Sequence, residues 1–564
     1  MTRGRITFLA LVAAVAAGIA ISLPPRPLAL DTEALVDAPV VRGAYHVHSN
    51  RSDGTGSVRQ IALAAGRAGL SFVILTDHGD GRRQADAPEY VDGVLVIDGV
   101  EISTTSGHVV ALGMKPAPYP LDGEPHAVIE DVTRLGGVAI VAHPGSPKEA
   151  LRWADWSVPF HGLEWLNGDS EWRDEGVASL AKTLFTYTLR RPETLAALLD
   201  RPDDVLRQWD ALLAKRAVVA LAGGDAHGGL SHGADRRLSV RVPGYEQVFR
   251  SMSIAIPRLA LAGDAAIDAE LIITAIMEGN VYSAIDAIAR PAAFGFVGTS
   301  GGVRAGLGGR LPVGAPVEFA VTSNAPGDAR IVLLKDGASA AESRGATLSH
   351  TAPAGPGVYR VEVHVPGAPG EPPVPWLLSN PIYVRPQEQP IAARPGPTAK
   401  AVQYADGPVD WKVEHSSRAQ GAFDVVPTLN GTELSLRYAL SGTLEEGPFV
   451  ALTMPAGGVA GYDRLTFTAR ASKPMRVSVE LRLPLSTLEG ERWHRSVYVD
   501  ETPRVITVFF DQMTPRGRTT QKRPDLSIAQ NVLFVVDSLN TPPGSSGQIW
   551  MDDVAYEREV AVTK

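Results

Sequence analysis

"AYHVHSNRSDGTGSVRQIALAAGRAGLSFVILTDH", residues 44–78, opens with two histidines one residue apart and closes with a third at the end of an apolar run. Between them, "SVRQIALAAGRAGL" (57–70) repeats Ile61, Ala64, Ala65 and Ala68 near the 3.6-residue helical period, with Ser57 placed as N-cap. The stretch predicts strand, loop, helix, strand. A continuous apolar strand followed by a helix and a second such strand signals a parallel sheet, because both faces of each strand are covered.

The pattern runs on through "GVLVIDGV" (93–100), "GGVAIVA" (136–142), "GLEWL" (162–166) and "AVVALAGG" (217–224). The longest intervening helical region is "PETLAALLDRPDDVLRQWDALLAKR" (192–216). Six or seven such units over residues 40–290 predict a (β/α) barrel of the TIM-like kind. After Pro291 the texture changes to short strands between Gly/Pro turns, as in "PVEFAVTSN", "ARIVLLKDG" and "GVYRVEVHV", which predicts an immunoglobulin-like sandwich over 291–386. Residues 387–408, within and after "RPQEQPIAARPGPTAK", read as a proline-rich linker. Residues 409–564 predict a second all-β module, a jelly roll whose "GQIWMDDVAYE" resembles the last strand of carbohydrate-binding types. Exposed tryptophans there could stack on sugar rings, while Trp493 and Trp550 serve equally well as core.

Length and composition set limits. A chain of 564 residues exceeds what one core supports, so several domains are expected. A formal net charge of -9 argues against a nucleic-acid backbone as partner. The chain has no cysteine, which removes disulfides, thiolate metal sites and cysteine nucleophiles. Any metal must be held by His, Asp and Glu. At the N-terminus, Arg3 and Arg5 precede an uncharged apolar run, Ile6 to Leu23, closed by Pro24-Pro25-Arg26-Pro27. Residues 1–27 thus read as an export signal or a membrane anchor, with the body periplasmic or extracellular and touching the membrane only through this segment.

The polar residues gather where a barrel needs them. His46 and His48 share a strand face by the two-residue period. "SFVILTDH" ends in His78, "VIDGVE" in Glu101, "VAIVAHP" in His143, and "ALAGGDAH" in Asp225 and His227. His108 follows Glu101 in "SGH", and Asp53 lies in the loop after the first strand. Barrel sites collect at the C-terminal ends of strands, so these apolar runs converge on one place. Three carboxylates there, Asp53, Glu101 and Asp225, would repel one another without cations. His/carboxylate shells suit Zn, Mn or Fe rather than Ca. Around them, Asp77 and Glu164 read as residues that orient ligands. Arg51, Arg82 and Arg83 read as a solvated loop face able to contact phosphate. His126, His161 and His232 read as structural or surface, His232 standing nearest the site.

The motifs "HVHSNRSDG", "LTDH", "GVEIS…GH", "VAHPG" and "GGDAHGG" together resemble the PHP (polymerase and histidinol phosphatase) metallohydrolase superfamily, in particular its exported carbaryl-hydrolase-like branch. "SNPIYV" (379–384) resembles the close of the β-module that follows the barrel in that branch. The resemblance implies a distorted (β/α)7 barrel holding two or three divalent metal ions. It implies that His46, His48 and Asp225 hold a first metal. Glu101 would bridge it to a second held by His143 and His108, and Asp53, His78 and His227 would hold a third. Many trinuclear members carry histidine where this chain has Asp53, so the third site rests on that residue. Glu101, Asp225 and His227 are the implied catalytic residues. The expected chemistry is phosphoester hydrolysis of a small-molecule or glycan-linked ester by a hydroxide held between metals. A carboxylester, carbamate or amide hydrolase with the same metals, or an envelope glycan-binding protein, are the alternatives.

Overall fold

Val40–Val47 (β1), Phe72–Leu75 (β2) and Val94–Asp98 (β3) lie side by side in parallel register, buried along nearly their whole length. The helix between β1 and β2, Val58–Ala68 (α1), forms as its sequence dictates. Ser57 and Gln60 close a capping box, Gly69 ends it in the left-handed conformation, and Ile61, Ala64 and Ala65 are buried. In this computed structural model the described residues are 22–31, 39–173, 175–232, 238–240, 242–386, 400–404, 410–428, 431–442, 447–484, 492–517, 519 and 521–559.

A second sheet contains Val100–Thr104 (β4), Gly107–Leu112 (β5), Val138–Ala142 (β6), Gly162–Asn167 (β7) and Val219–Gly223 (β8), in the order β8-β7-β6-β5-β4. β7 runs parallel to both neighbours, whereas β5 is antiparallel to β4 and β6. Single bridges, Val47 to Ala226 and His78 to Glu101, join this sheet to the one containing β1. Backbone hydrogen bonds reinforce those junctions: Ala226 N–H to the His46 carbonyl (3.1 Å), His48 N–H to the Ala226 carbonyl (3.0 Å) and Gly79 N–H to the Glu101 carbonyl (3.0 Å). The two sheets are thus stitched at the strand ends that carry the histidines.

A regular TIM-like barrel is not evident, and the reasons are local. Between β3 and β4 there is only Gly99, and between β4 and β5 only a tight turn, so no crossover helix intervenes and β5 reverses direction. The long helical region expected over 192–216 is two helices, Arg191–Ala196 and Asp203–Leu213, parted around Pro202, which stands at the N-cap of the second. What forms is a multidomain, strand-rich chain of several sheets with few helices.

On the far edge of β1 lies antiparallel Ser253–Pro257 (β9), then Tyr282–Ala284 (β10), which pairs with Leu377–Ser379. The same sheet therefore continues into the β-module expected over 291–386. That module packs a second antiparallel sheet, including Phe294–Ser300 and Val317–Ser323, over a core with Phe296, Phe319, Val361 and Trp376. Asn380 of "SNPIYV" is fully buried. Its amide accepts from Ala220 N–H (2.8 Å) and donates to the Ala220 and Val281 carbonyls (3.0 and 2.9 Å). These segments belong to one compact unit, Met1–Gly79, Gln84–Lys115 and Val132–Glu388.

The second unit is Asp80–Arg83, Pro116–Asp131 and Gln389–Lys564. Two six-stranded sheets enclose Leu436, Phe467, Trp493, Phe534 and Ile549, and the long strand Ser546–Glu559 runs through one of them. Trp493 is core. Trp550 is half-buried under the Arg470 guanidinium, 4.0 Å from the ring centre. Within the expected linker, Lys400–Tyr404 forms a strand paired with the end of Ser546–Glu559, while 387–399 and 405–408 lie outside the described residues. Pro116–Asp131, placed by sequence in the barrel, belongs to this unit, where Arg476 is buried against Asp131 at 2.7 Å. Among the described residues no helix is long and apolar enough to cross a membrane, and residues 6–21 of the N-terminal run lie outside them.

Candidate metal centre

Four ligand-type atoms meet at the junction of the two sheets: His46 Nε2, His48 Nε2, Glu101 Oε2 and Asp225 Oδ1. His46 Nε2 lies 3.1 Å from His48 Nε2. Glu101 Oε2 is 3.3 and 3.2 Å from the two nitrogens, and Asp225 Oδ1 is 3.3 Å from each. A tetrahedral ion with bonds of about 2.0–2.1 Å separates its ligands by about 3.3 Å, so these edges match a first-row divalent cation. The other oxygen of Glu101, Oε1, lies 2.8 Å from His108 Nδ1 and 3.0 Å from His143 Nε2. A third, looser group centres on half-exposed Asp53, whose Oδ2 is 3.3 Å from His227 Nε2 and 3.6 Å from His78 Nε2.

Two residues are shared between groups. His48 turns Nδ1 toward Asp53 Oδ1 at 3.4 Å, and His78 Nδ1 stands 3.2 Å from Glu101 Oε2. All nine side chains singled out in the sequence are brought together, and Glu101 joins the first group as well as the second.

The tautomers suit cation binding. His46 Nδ1 meets Glu164 Oε1 at 2.5 Å, His143 Nδ1 donates to the Leu151 carbonyl (3.1 Å), and His227 Nδ1 donates to the Asp225 carbonyl (2.9 Å). Each arrangement spends the Nδ1 proton on the protein and turns Nε2 to the cluster, as metal-bound histidines are oriented by their outer partners. Without a cation the electrostatics are awkward. Burial opposes charge on His48, yet hydrogen bonds to Asp225 and Glu101 outweigh it and raise its pKa to about 10. His46 is likewise raised against burial, by Asp225, Glu164 and Glu101. Burial alone would raise Glu101 and Asp225, but the surrounding imidazoles pull both below the usual carboxylate range. Two protonated imidazoles would then aim N–H groups at each other across 3.1 Å. A divalent cation supplies the same charge without that clash, so the donor set fits a metal.

Backbone strain concentrates at the same place. His46 (φ 63°), His143 (φ 32°) and Asp225 (φ 46°) occupy the left-handed region. Such residues cost roughly 1–3 kcal/mol each and persist where the surroundings over-determine them. At His46 this explains how its ring meets that of His48. The β1–β2 register shifts between Ala44 and Val47, so the pair meets through a distorted strand end rather than the regular two-residue pleat.

Comparison with known proteins places part of the chain. No family model matches it. MJ1587, an uncharacterized protein of Methanocaldococcus jannaschii, is 34% identical over 141 residues, which are 22% of this chain and 82% of that protein. The chain belongs to the MJ1587 family. Among solved structures, a protein of Bifidobacterium adolescentis provisionally named a metal-dependent phosphoesterase aligns over 37% of this chain and 93% of its own, at 15% identity and a TM-score of 0.24. A family 11 carbohydrate-binding module of Clostridium thermocellum aligns over 30% of this chain and all of its own, at 14% identity and a TM-score of 0.25.

Other side chains hold the site's frame. Glu164, fully buried, also accepts from His143 N–H and from Asn167 Nδ2, both at 2.7 Å. A Cβ at Gly223 would stand 2.4 Å from Glu164 Oε1, which accounts for the glycine beside it. Asp77 contacts no histidine ring in the cluster. It accepts from Ser49 N–H (2.8 Å), Ser49 Oγ (2.6 Å) and Ser52 Oγ (2.6 Å), tying down the loop that carries Asp53. Tyr245, which sequence reasoning missed, clamps that loop from the other side: its hydroxyl donates to the His48 carbonyl (2.8 Å) and accepts from Thr55 and Gly56 N–H (3.1 and 3.0 Å). Only its place in a helix 190 residues downstream brings it there, and no local motif marks it.

Arg51 pairs with Asp86 and Asp98, and Arg82 with Asp80. His126 bonds Arg495, and His161 accepts from Ala139 N–H (3.1 Å). The backbone of His232 pairs with Leu238, and its side chain lies outside the described residues.

Proposed function

We propose that this chain is a metal-dependent phosphoesterase of the PHP type, exported by its N-terminal segment. The observation that carries the reading is the four-atom set of His46, His48, Glu101 and Asp225, with edges of 3.1–3.3 Å, sharing Glu101 with a second histidine pair. Bound divalent ions would lower the pKa of a water and neutralise charge on a phosphoryl group, and paired sites suit in-line displacement at phosphorus.

The chain's own groups do the rest. Glu101 would help to hold bound ions, with one oxygen among His46 and His48 and the other between His108 and His143. Glu164 fixes His46 with Nε2 inward. Asp77 and Tyr245 keep the loop that carries Asp53 pressed against the strand ends. His227, partly exposed and with Nδ1 spent on the Asp225 carbonyl, stands at the rim, where it would orient the substrate. Asp53 would complete a third site.

The test is metal analysis of the purified full chain, paired with phosphomonoester, phosphodiester and carboxylester substrates. The reading expects at least two equivalents of Zn, Mn or Fe and phosphate-ester cleavage. Aryl ester cleavage without any phosphate release would move the assignment to carboxylester or amide hydrolysis. For glycan binding by the C-terminal module the described residues offer less: Trp411 packs on Phe423 and Phe534, Trp493 is core and Trp550 lies under Arg470.

A further inference from the structure

Beside the metal ligands is a cavity that their chemistry does not explain. It has a volume of about 320 Å³ and reaches Asp53, Asp225 and His227 at one end. Its wall is aliphatic: Leu180, Leu184, Leu195, Leu198, Leu199 and Met252. Leu180, Thr183, Leu184 and Tyr187 fall at i, i+3, i+4 and i+7 of the helix Val177–Tyr187, so one face of that helix forms a side of the cavity.

Two of those leucines are not buried by the protein itself. Leu184 is 69% exposed and Leu180 36%, although each faces a cavity floored by buried Leu198 and Leu199. Apolar walls left wet beside a reactive centre are the ordinary form of a ligand pocket. The polar groups at its edge satisfy one another, as Arg173 pairs with Asp169 at 2.5 Å.

We propose that this pocket receives the aliphatic chain of an amphiphilic ester whose phosphoester end lies at Asp53, Asp225 and His227. The proposal rests on the phosphoesterase reading above and names its substrate class. The size agrees: an engineered apolar cavity of about 150 Å³ admits a benzene ring, so this one has room for roughly a dozen carbon atoms. A buried methylene is worth about 0.8 kcal/mol, or roughly fourfold in affinity. Lengthening a chain from four carbons to eight should therefore raise affinity by about 250-fold if all four methylenes are buried, and by about tenfold if the chain is only partly covered.

The test uses the metal-loaded full chain and two series of probes. Methyl, butyl and octyl phosphate report turnover as released inorganic phosphate. Butyl- and octylphosphonate, which are not hydrolysed, report binding by calorimetry. The expected result is an octyl preference in both series. Leu184→Ser should reduce octylphosphonate affinity by about three- to tenfold, while Leu189→Ser, exposed but outside the cavity, should leave it unchanged. Equal affinity for butyl- and octylphosphonate in the native protein would overturn the pocket, even with phosphate released from every ester. An octyl preference in binding with no phosphate released from these monoesters and no cleavage of bis(4-nitrophenyl) phosphate would uphold the pocket and overturn the phosphoesterase reading instead.

Discussion

Glu164 Oε1 sits 2.5 Å from His46 Nδ1, and both groups are fully buried. The pair decides which nitrogen of His46 faces His48. Losing an outer partner of this kind typically costs 10- to 100-fold in metal affinity. Glu164→Ala should weaken the most tightly held ion by about that factor, whereas Glu164→Gln, which retains an acceptor oxygen, should weaken it less. Competition titration with a chromogenic chelator separates the two, and equal affinity in Glu164→Ala and native protein would dismiss the orienting role.

Asp53 is the half-exposed member of the cluster, held by the imidazoles of His48, His78 and His227 and by the Ser52 hydroxyl. Asp53→Ala should bind one ion fewer per chain while keeping the ions associated with Glu101. Elemental analysis after dialysis reads this directly. Unchanged stoichiometry would mean that no third ion is held there.

Asp225→Ala and His46→Ala should abolish hydrolysis and lower total bound metal, because each removes one of four atoms spaced for a single ion. Chelation should destabilise the first unit in the same way. Binding at 100 to 1,000 times Kd contributes about 3–4 kcal/mol, so its melting temperature should fall on chelation and recover when Zn or Mn is added back. The second unit, which holds none of these nine residues, should melt unchanged in every case.

In the second unit, burial, with Arg516 and Arg495 nearby, depresses the pKa of His494 from 6.5 to about 3. The sign is therefore fixed: between those values the unfolded chain binds a proton that the folded unit does not. The contribution of His494 is fully present above about pH 6.5 and is lost progressively as pH falls toward 3. His494→Gln should flatten the stability of this unit across that window relative to native protein, as followed by urea unfolding at each pH. Parallel curves would assign the acid sensitivity to the carboxylates alone.

Much of the candidate site was legible because its residues announce themselves locally. An apolar run that ends in His or a carboxylate is a short-range signal, and α1 with its Ser57/Gln60 cap and Gly69 stop was written within a dozen residues. What escaped depends on distant partners. Tyr245 reaches a loop across 190 residues of chain, and His46, in the left-handed region, gives its carbonyl to Ala226 N–H some 180 residues away. Hydrophobic periodicity marked β2, β6, β7 and β8, but it read 93–100 as one run where Gly99 parts β3 from β4, and it passed over β5, whose reversal it therefore missed. It also missed the departure of Pro116–Asp131 to the second unit, where Asp131 meets Arg476 some 345 residues away.

The pairing of Tyr282–Ala284 with Leu377–Ser379 makes Pro291 a poor place for scissors. A fragment ending there would keep every proposed metal ligand yet lose the strand that covers one rim of its main sheet, along with the Asn380 amide that bonds Ala220 in β8. Its bare edge would recruit another copy of itself. The sandwich therefore acts as the selvedge of the sheet that carries the histidines, and the two should be expressed and engineered as one piece.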